Sequence, residues 1–214
     1  MPPQPPSFDL VLASASPRRR ELLERAGLVV QVAPTDLDET PASGETAVDL
    51  ARRLASAKCD AATARMAAEA NAPDAALAVL AADTLVTIGG VILGKPRDAH
   101  DARDMLRRLA GRRHEVVTAY RIRRGAAPAI DRAVTTAVTF RLIDDAEVEA
   151  YVASGEWRGK AGGYALQGIA AAFVTELRGS HTNVIGLPLA EVLGDLRAAG
   201  AILRYPPRGF GVAS

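Results

Sequence analysis

Apolar residues recur with two different spacings along the chain, and segments of the two kinds alternate. Short continuous or alternating apolar runs, such as 10–12, 114–125 and 133–143, have the length and composition of β-strands. Segments 46–70 and 98–109 place apolar residues three or four positions apart, which indicates amphipathic helices. Strands and helices are therefore both predicted along the chain. A short loop joins the two long strands of the second half, so they are predicted to be antiparallel and the sheet to be mixed.

The chain opens with a predicted strand–helix–strand unit. A buried strand over 10–12 leads into a helix whose N-cap is Ser16 and whose first residue is Pro17. Gly27 ends this helix, and a second strand begins at Leu28. The turn at the helix start therefore lies directly after the first buried strand.

Three consecutive arginines, Arg18, Arg19 and Arg20, occupy the first turn of this helix. Cations there oppose the helix dipole, whereas the free backbone N–H groups of a helix start attract anions. The arrangement outlines a phosphate site. A capped helix with a solvated basic face explains the same residues equally well.

Residues 34–46 are polar and contain proline and glycine, so they predict a surface loop. The loop carries four carboxylates, Asp36, Asp38, Glu39 and Glu45. They are either solvated surface groups, or one or two of them hold a divalent ion together with substrate phosphates. In the long helix that follows, Lys58 taken alone predicts a surface lysine.

The apolar run that begins at Ala76 is interrupted only by Asp83 and Thr84. A carboxylate in a buried strand is costly unless it is paired or metal-bound, so Asp83 is a candidate site residue. Satisfaction by backbone donors at a strand end is the alternative. A two-glycine hairpin follows the run. Lys95 comes after the hairpin, its backbone is fixed by the next proline, and its side chain can therefore return to the neighbourhood of Asp83.

The last third of the chain combines a glycine-rich segment with a polar one. Five glycines between 155 and 168 permit close approach of a ligand, or simply form a tight loop. They surround three polar side chains, Lys160, Tyr164 and Gln167. The amide of Gln167 offers both a donor and an acceptor to a base edge. His181 and Asn183 are predicted to lie in a loop before a C-terminal helix over 188–199, and the lone His114 is predicted to be structural or exposed.

Composition narrows the class of protein. The chain has 214 residues, 49% of them hydrophobic, and a formal net charge of +1, which argues against a nucleic-acid or membrane-surface partner. The single cysteine, Cys59, excludes an internal disulfide and predicts a core or half-buried thiol. The N-terminus lacks the features of a signal peptide, so we expect a cytoplasmic protein. Residues 1–8 are predicted to be a disordered arm and 206–214 a flexible tail.

Five stretches in order resemble the Maf family of nucleoside triphosphate pyrophosphatases, once described as septum formation inhibitors. They are SASPRR at 14–19, ADT at 82–84, GKPRD at 94–98, KAGGYALQG at 160–168 and GLPL at 186–189. The resemblance implies a single catalytic domain over 9–205. It also implies an α/β fold, with an elongated mixed sheet flanked by helices in two lobes and a central cleft, similar to inosine triphosphate pyrophosphatases.

The tyrosine and the Gln-Gly pair after KAG resemble the branch of the family that acts on dTTP and UTP. This implies hydrolysis at the α-phosphorus to the nucleoside monophosphate and pyrophosphate, with Mg²⁺ or Mn²⁺ as cofactor, and leaves a homodimer open. The implied residues are Asp83, Lys95 and Lys58 for catalysis, Ser14, Arg18 and Arg19 for the phosphates, Arg18, Thr84 and Gln167 for base specificity, and Glu39 and Asp83 for the metal. The alternatives are a 7-methyl-GTP pyrophosphatase and a nucleotide-binding regulator of cell division without turnover.

Overall fold

The computed structural model describes residues 8–68 and 77–202. The predicted tail 206–214 and the loop predicted at 71–75 lie outside these residues, as does the predicted arm 1–8 except for its last residue. The single domain over 9–205, with its two lobes, stays a prediction. No helix within the described ranges is both long enough and apolar enough to cross a lipid bilayer.

Seven strands and six helices make up the described residues, together with two short 3-10 helices at Ala161–Gly163 and Ile169–Phe173. The strands are β1 (Leu10–Leu12), β2 (Val30–Val32), β3 (Ala78–Ile88), β4 (Val91–Leu93), β5 (Arg113–Arg124), β6 (Ile130–Phe140) and β7 (Val174–Arg178). The helices are α1 (Pro17–Arg25), α2 (Ala47–Ala68), α3 (Ala99–Leu109), α4 (Asp145–Ser154), α5 (His181–Ile185) and α6 (Leu189–Ala198).

All seven strands belong to one mixed sheet, in the order β2-β1-β3-β5-β6-β7, with β4 paired to β3. Strand β1 is parallel to β2 and β3, and the remaining pairs are antiparallel. The sheet and its flanking helices confirm the predicted mixed α/β class. The Gly89-Gly90 hairpin is also confirmed, because β3 and β4 pair directly across it.

The long strand β3 has one fully paired edge and one interrupted edge. Strand β5 pairs along nearly its whole length, whereas on the other edge β1 pairs with 78–80 and β4 pairs with 86–88. Within the described chain, no strand pairs with the middle of β3 on that edge. A cavity opens at this interruption, next to Asp83 and Thr84.

The two faces of β1 and β3 are covered by different helices. Even-numbered residues of these strands, such as Leu10 and Leu80, cluster with apolar side chains of α1 and α6. Odd-numbered residues, such as Val11 and Val79, lie on the other face and cluster with Cys59 and Ala62 of α2. The central strands are thus buried on both faces, and Cys59 is buried as predicted.

The predicted loop around His181 and Asn183 is wrong, because these residues form the short helix α5. The Ser180 hydroxyl accepts a hydrogen bond from the Asn183 backbone N–H at 3.2 Å and caps the helix. Gly186, at a φ of 133°, ends it. The turn of helix is too short for its polar sequence to show a helical period.

Candidate functional site

A cavity of about 610 Å³ lies at the interrupted edge of β3. It is lined by all nine side chains that the family resemblance implies: Ser14, Arg18, Arg19, Glu39, Lys58, Asp83, Thr84, Lys95 and Gln167. They come from the turn after β1, α1, the 34–46 loop, α2, β3, the segment after β4 and the glycine-rich segment. The structure therefore brings together residues that are far apart in the sequence.

The turn between β1 and α1 forms one wall of the cavity, and Ser16 caps α1 as predicted, although its contact with the Arg19 N–H is long at 3.5 Å. The buried Arg19 side chain makes three hydrogen bonds: Nε donates to Gly186 O at 2.8 Å, Nη1 to Ser14 Oγ at 2.9 Å and Nη2 to Thr84 Oγ1 at 2.9 Å. Burial lowers the pKa of Arg19, and the nearby Asp83 carboxylate opposes that effect. This arginine is fixed in place before any anion binds.

Arg18 is held more loosely at the same wall. Its Nε donates to Ile185 O at 3.3 Å, and the side chain is only partly buried. Burial lowers its pKa, but an arginine remains protonated near neutral pH. Its guanidinium is therefore able to move toward an anion in the cavity.

The opposite wall contains a lysine between two carboxylates. Lys58 Nζ lies 2.6 Å from Glu39 Oε1 and 2.6 Å from Asp83 Oδ1, and Lys95 Nζ lies 2.9 Å from Glu39 Oε2. Burial alone would raise the pKa of Glu39, but its hydrogen bonds with Lys58 and Lys95 lower it to about 2. The prediction that Lys58 is a surface lysine is wrong, because its side chain is buried.

Helical and strand periodicities explain how Lys58 and Asp83 meet. Lys58 lies four residues from Leu54 and four from Ala62, so it shares the buried face of α2. Asp83 lies on the same face of β3 as Val79, whose side chain faces α2, whereas Thr84 points to the other face. Two consecutive residues of β3 thus serve opposite walls of the cavity.

Sequence reasoning missed a polar network behind Thr84. Thr84 Oγ1 lies 2.9 Å from Thr118 Oγ1, and Thr118 Oγ1 donates to the Asn183 carbonyl at 3.1 Å. The fully buried Asn183 amide donates to Val116 O and to the Thr136 hydroxyl. The only sequence signal for this network was a threonine at an inward position of β5.

Gln167 is exposed at the mouth of the cavity, near Lys160 and Tyr164. Burial and the charge of Arg18 lower the pKa of Lys160. The predicted structural role of His114 fits its surroundings, since it is buried and its Nε2 lies 2.9 Å from the Tyr164 hydroxyl. The role of Gln167 in base recognition stays a prediction.

Among the residues that the structure describes, Glu39 and Asp83 are the two carboxylates that line the cavity. Within residues 8–68 and 77–202, no group of three or more histidine, cysteine, aspartate or glutamate residues is placed to hold a metal ion. A protein cage for a metal is thus absent from these ranges. Two carboxylates do fit the way Mg²⁺ is usually bound, through one or two carboxylates completed by substrate phosphates.

Comparisons with known proteins identify the family of the chain. The family model described as Maf-like protein matches residues 9–199. A dTTP/UTP pyrophosphatase of Anaeromyxobacter dehalogenans is 50% identical over 194 residues, covering 89% of this chain and 94% of that protein. A dTTP/UTP pyrophosphatase of Granulibacter bethesdensis is 47% identical over 208 residues, covering 94% and 98%.

A solved structure of a nucleoside-triphosphatase, dITP/XTP pyrophosphatase, from Mycobacterium abscessus covers 92% of this chain and 97% of its own, with a TM-score of 0.41 and 15% identity. The family model alone spans most of the chain, and the relatives exceed 45% identity over nearly their full length. The chain belongs to the Maf family of Maf-like proteins.

Proposed function

We propose that the protein hydrolyses pyrimidine nucleoside triphosphates, with dTTP and UTP as the preferred substrates, to the nucleoside monophosphate and pyrophosphate. One observation carries this proposal: among the described residues, six cationic side chains and two carboxylates line the same cavity. The excess of four positive charges matches the roughly four negative charges of a nucleoside triphosphate. The names of the relatives supply the nucleotide class.

The cations divide into fixed and mobile groups. Arg19 uses three of its five N–H donors on protein acceptors, so two remain for phosphate oxygens. Arg18 and Lys95 are only partly held and are able to follow the substrate. Since phosphoryl transfer depends on positioning and on charge stabilisation, this combination suits a triphosphate that must be both bound and released.

Asp83 is the proposed general base. Lys58 donates to one of its oxygens, Oδ1, and among the described residues the other oxygen, Oδ2, accepts no hydrogen bond. That oxygen would accept a proton from the attacking water as the new bond to the α-phosphorus forms. The bond from the α-phosphorus to the bridging oxygen breaks, and Arg18, Arg19 and Lys95 would stabilise the charge on the departing pyrophosphate.

Glu39 and Asp83 are the residues that would hold a divalent cation. Such an ion, Mg²⁺ or Mn²⁺, would neutralise phosphate charge and lower the pKa of water. When phosphates enter, Lys58 and Lys95 would exchange their contacts with Glu39 for phosphate oxygens. The carboxylate would then be released from its two lysines.

Gln167 is the proposed reader of the base. Its amide can donate to a pyrimidine carbonyl and accept from the imide N–H, a pairing that uracil and thymine both offer. Arg18 and Thr84 line the cavity with it and complete the proposed specificity set. Thr84 also holds Arg19, so base and phosphate recognition share a side chain.

The experiment is a panel of nucleotides with purified protein, with and without added Mg²⁺ or Mn²⁺, followed by detection of pyrophosphate. We expect dTTP and UTP to be the best substrates, with turnover only when metal is present. If 7-methyl-GTP were the preferred substrate, the proposed pyrimidine specificity would be wrong. If the nucleotides bound tightly without forming any product, the proposed activity would be wrong and a regulatory role would explain the binding.

Substitution of the proposed base is the sharpest test of the mechanism. Asp83→Asn keeps an oxygen for Lys58 but cannot take a proton, so we expect kcat on dTTP to fall by about 100-fold or more. Asp60→Asn is the matched control, since Asp60 is exposed on α2 and pairs with Arg121 and Arg123. Turnover of Asp83→Asn within a few fold of the wild type would exclude Asp83 as the base.

A further inference from the structure

The position of Gln167 depends on the backbone that carries it. Its side chain is exposed, and within the described residues it has no hydrogen-bond partner. It lies in a tight turn closed by a hydrogen bond from the Gly168 N–H to the Ala165 carbonyl at 3.2 Å. Whatever fixes this turn fixes the amide that faces the cavity.

Two side chains anchor the turn from outside the cavity. On one side, the Ala165 N–H donates to the Tyr151 hydroxyl at 3.2 Å. On the other, the Glu156 carboxylate accepts from the Ile169 N–H at 2.9 Å and from the Ala170 N–H at 3.4 Å. Burial and the nearby Glu156 carboxylate raise the pKa of Tyr151, so its hydroxyl stays neutral. Neither Glu156 nor Tyr151 lines the cavity.

A steric constraint explains why a glycine follows Gln167. Gly168 has a φ of −124°, which any residue adopts, so its backbone conformation does not require glycine. A Cβ at this position would instead overlap the Glu156 carboxylate. Only a residue without a side chain lets the carboxylate lie directly against the turn.

We propose that Glu156 is a positioning residue for base selection, which holds the Gln167 turn through the Ile169 and Ala170 N–H groups without contacting the substrate. The inference rests on the proposed function, because it assigns the reader of the base to Gln167. The backbone carbonyl of Glu156 also accepts a hydrogen bond from the Lys160 ammonium. One residue therefore holds two parts of the cavity wall.

Glu156→Gln tests the inference through binding, which does not depend on turnover. The amide retains one acceptor and brings an N–H₂ group toward backbone donors, so the turn loses a carboxylate contact. Binding is measured with α,β-methylene analogues of dTTP and GTP. We expect the Kd of the GTP analogue divided by the Kd of the dTTP analogue to fall about tenfold. Glu149→Gln, an exposed substitution on α4, should leave the ratio unchanged.

A double-mutant cycle separates positioning from a general structural effect. In a Gln167→Ala background, Glu156→Gln should change the ratio by less than about twofold, because the group that it positions is absent. Gly168→Ala should reproduce the tenfold loss by displacing the carboxylate, which provides a second route if Glu156→Gln folds poorly.

An unchanged ratio in Glu156→Gln, or an equal loss in the Gln167→Ala background, would overturn the inference. A wild type that binds both analogues equally would overturn it too. A wild type that discriminates between the analogues but hydrolyses no triphosphate would instead contradict only the proposed hydrolysis.

Discussion

Lys58 balances the charges of one wall of the cavity, because it is the cation shared by Glu39 and Asp83. Both Lys58 and Asp83 have side chains only 9% exposed, so neither is well hydrated. Burial of a lone charge costs several kcal/mol, whereas a paired charge is tolerated. The pair is therefore stable only as a unit.

Replacement of Lys58 should cost stability as well as activity. Lys58→Met retains the unbranched apolar stem, one atom shorter, but leaves Asp83 buried without its partner, so we expect the free energy of unfolding to fall by about 3 kcal/mol. Urea denaturation at pH 7 measures it. Lys95→Met, at a side chain 58% exposed, should reduce turnover but change stability by less than about 1 kcal/mol. Equal losses of stability in the two variants would contradict this account.

His114 should make stability depend on pH. Burial lowers its pKa to about 4 from the ordinary 6.5. Between these values the unfolded chain binds a proton that the folded protein does not, so stability falls as the pH drops from about 6.5 to about 4. We expect a loss of about 3 kcal/mol from this residue.

His114→Gln should flatten the loss of stability between pH 6.5 and pH 4 relative to the wild type. Chemical denaturation across this range measures the difference. His100→Gln is the control, because His100 is exposed on α3. Parallel pH profiles for the wild type and His114→Gln would show that the buried imidazole does not titrate as expected.

The Thr118 hydroxyl belongs to a chain of hydrogen bonds that joins four elements. Thr118 on β5 donates to the Asn183 carbonyl of α5, which uses its single proton. The single proton of the Thr84 hydroxyl on β3 is then directed to Thr118 Oγ1 at 2.9 Å or to the Gly186 carbonyl at 3.3 Å, and its oxygen remains an acceptor for Arg19 of α1. The Thr118 hydroxyl therefore lies between the Asn183 carbonyl and the hydroxyl that holds Arg19.

Removal of the Thr118 hydroxyl should loosen Arg19 at a distance. Thr118→Val has nearly the same shape, so we expect kcat/KM on dTTP to fall about tenfold and the free energy of unfolding to fall by about 1–2 kcal/mol. Thr118→Ser keeps the hydroxyl and should retain most of the activity. Steady-state kinetics with both variants measures this, and a Val variant as active as the Ser variant would show that Arg19 needs no such support.

The elements were predictable from the sequence where local signals were strong. The apolar run of β3, the Gly89-Gly90 turn and the N-cap residues Ser16, Asp98 and Asp144 each identify an element or its end. Short α5 lacked any period, so it resembled a loop. Local patterns do not reveal which helix packs over which strand. Lys58 is buried because α2 packs over β3, and that contact could not be read from the sequence.

The candidate site was predictable only in part, for the same reason. Asp83 was identifiable because a carboxylate interrupts an apolar run. Thr118 and Glu156 gave no such signal, since a threonine in a strand and a glutamate after a helix are ordinary in composition. Their contacts join residues 65 and 13 positions apart, so only the tertiary structure reveals them.

At the scale of the whole molecule, charge is balanced overall but not locally. The net charge is +1, yet the cavity collects cations from α1, from α2, from the segment after β4 and from the glycine-rich segment. Mutual repulsion among them costs stability until an anion binds. A triphosphate should therefore bind and stabilise several elements together.

Ligand binding should raise the unfolding temperature by linkage. A nonhydrolysable dTTP analogue at 100 times its Kd should stabilise the protein by about 2.7 kcal/mol, which corresponds to a rise in Tm of about 5–10 °C for a chain of this size. Arg18→Ala should reduce the rise at the same analogue concentration, because Arg18 lines the cavity. Arg20→Ala should not, since Arg20 is exposed and pairs with Glu24 on the same helix. Because the two arginines share one helical turn, an equal rise in Tm for both variants would show that the phosphates bind elsewhere.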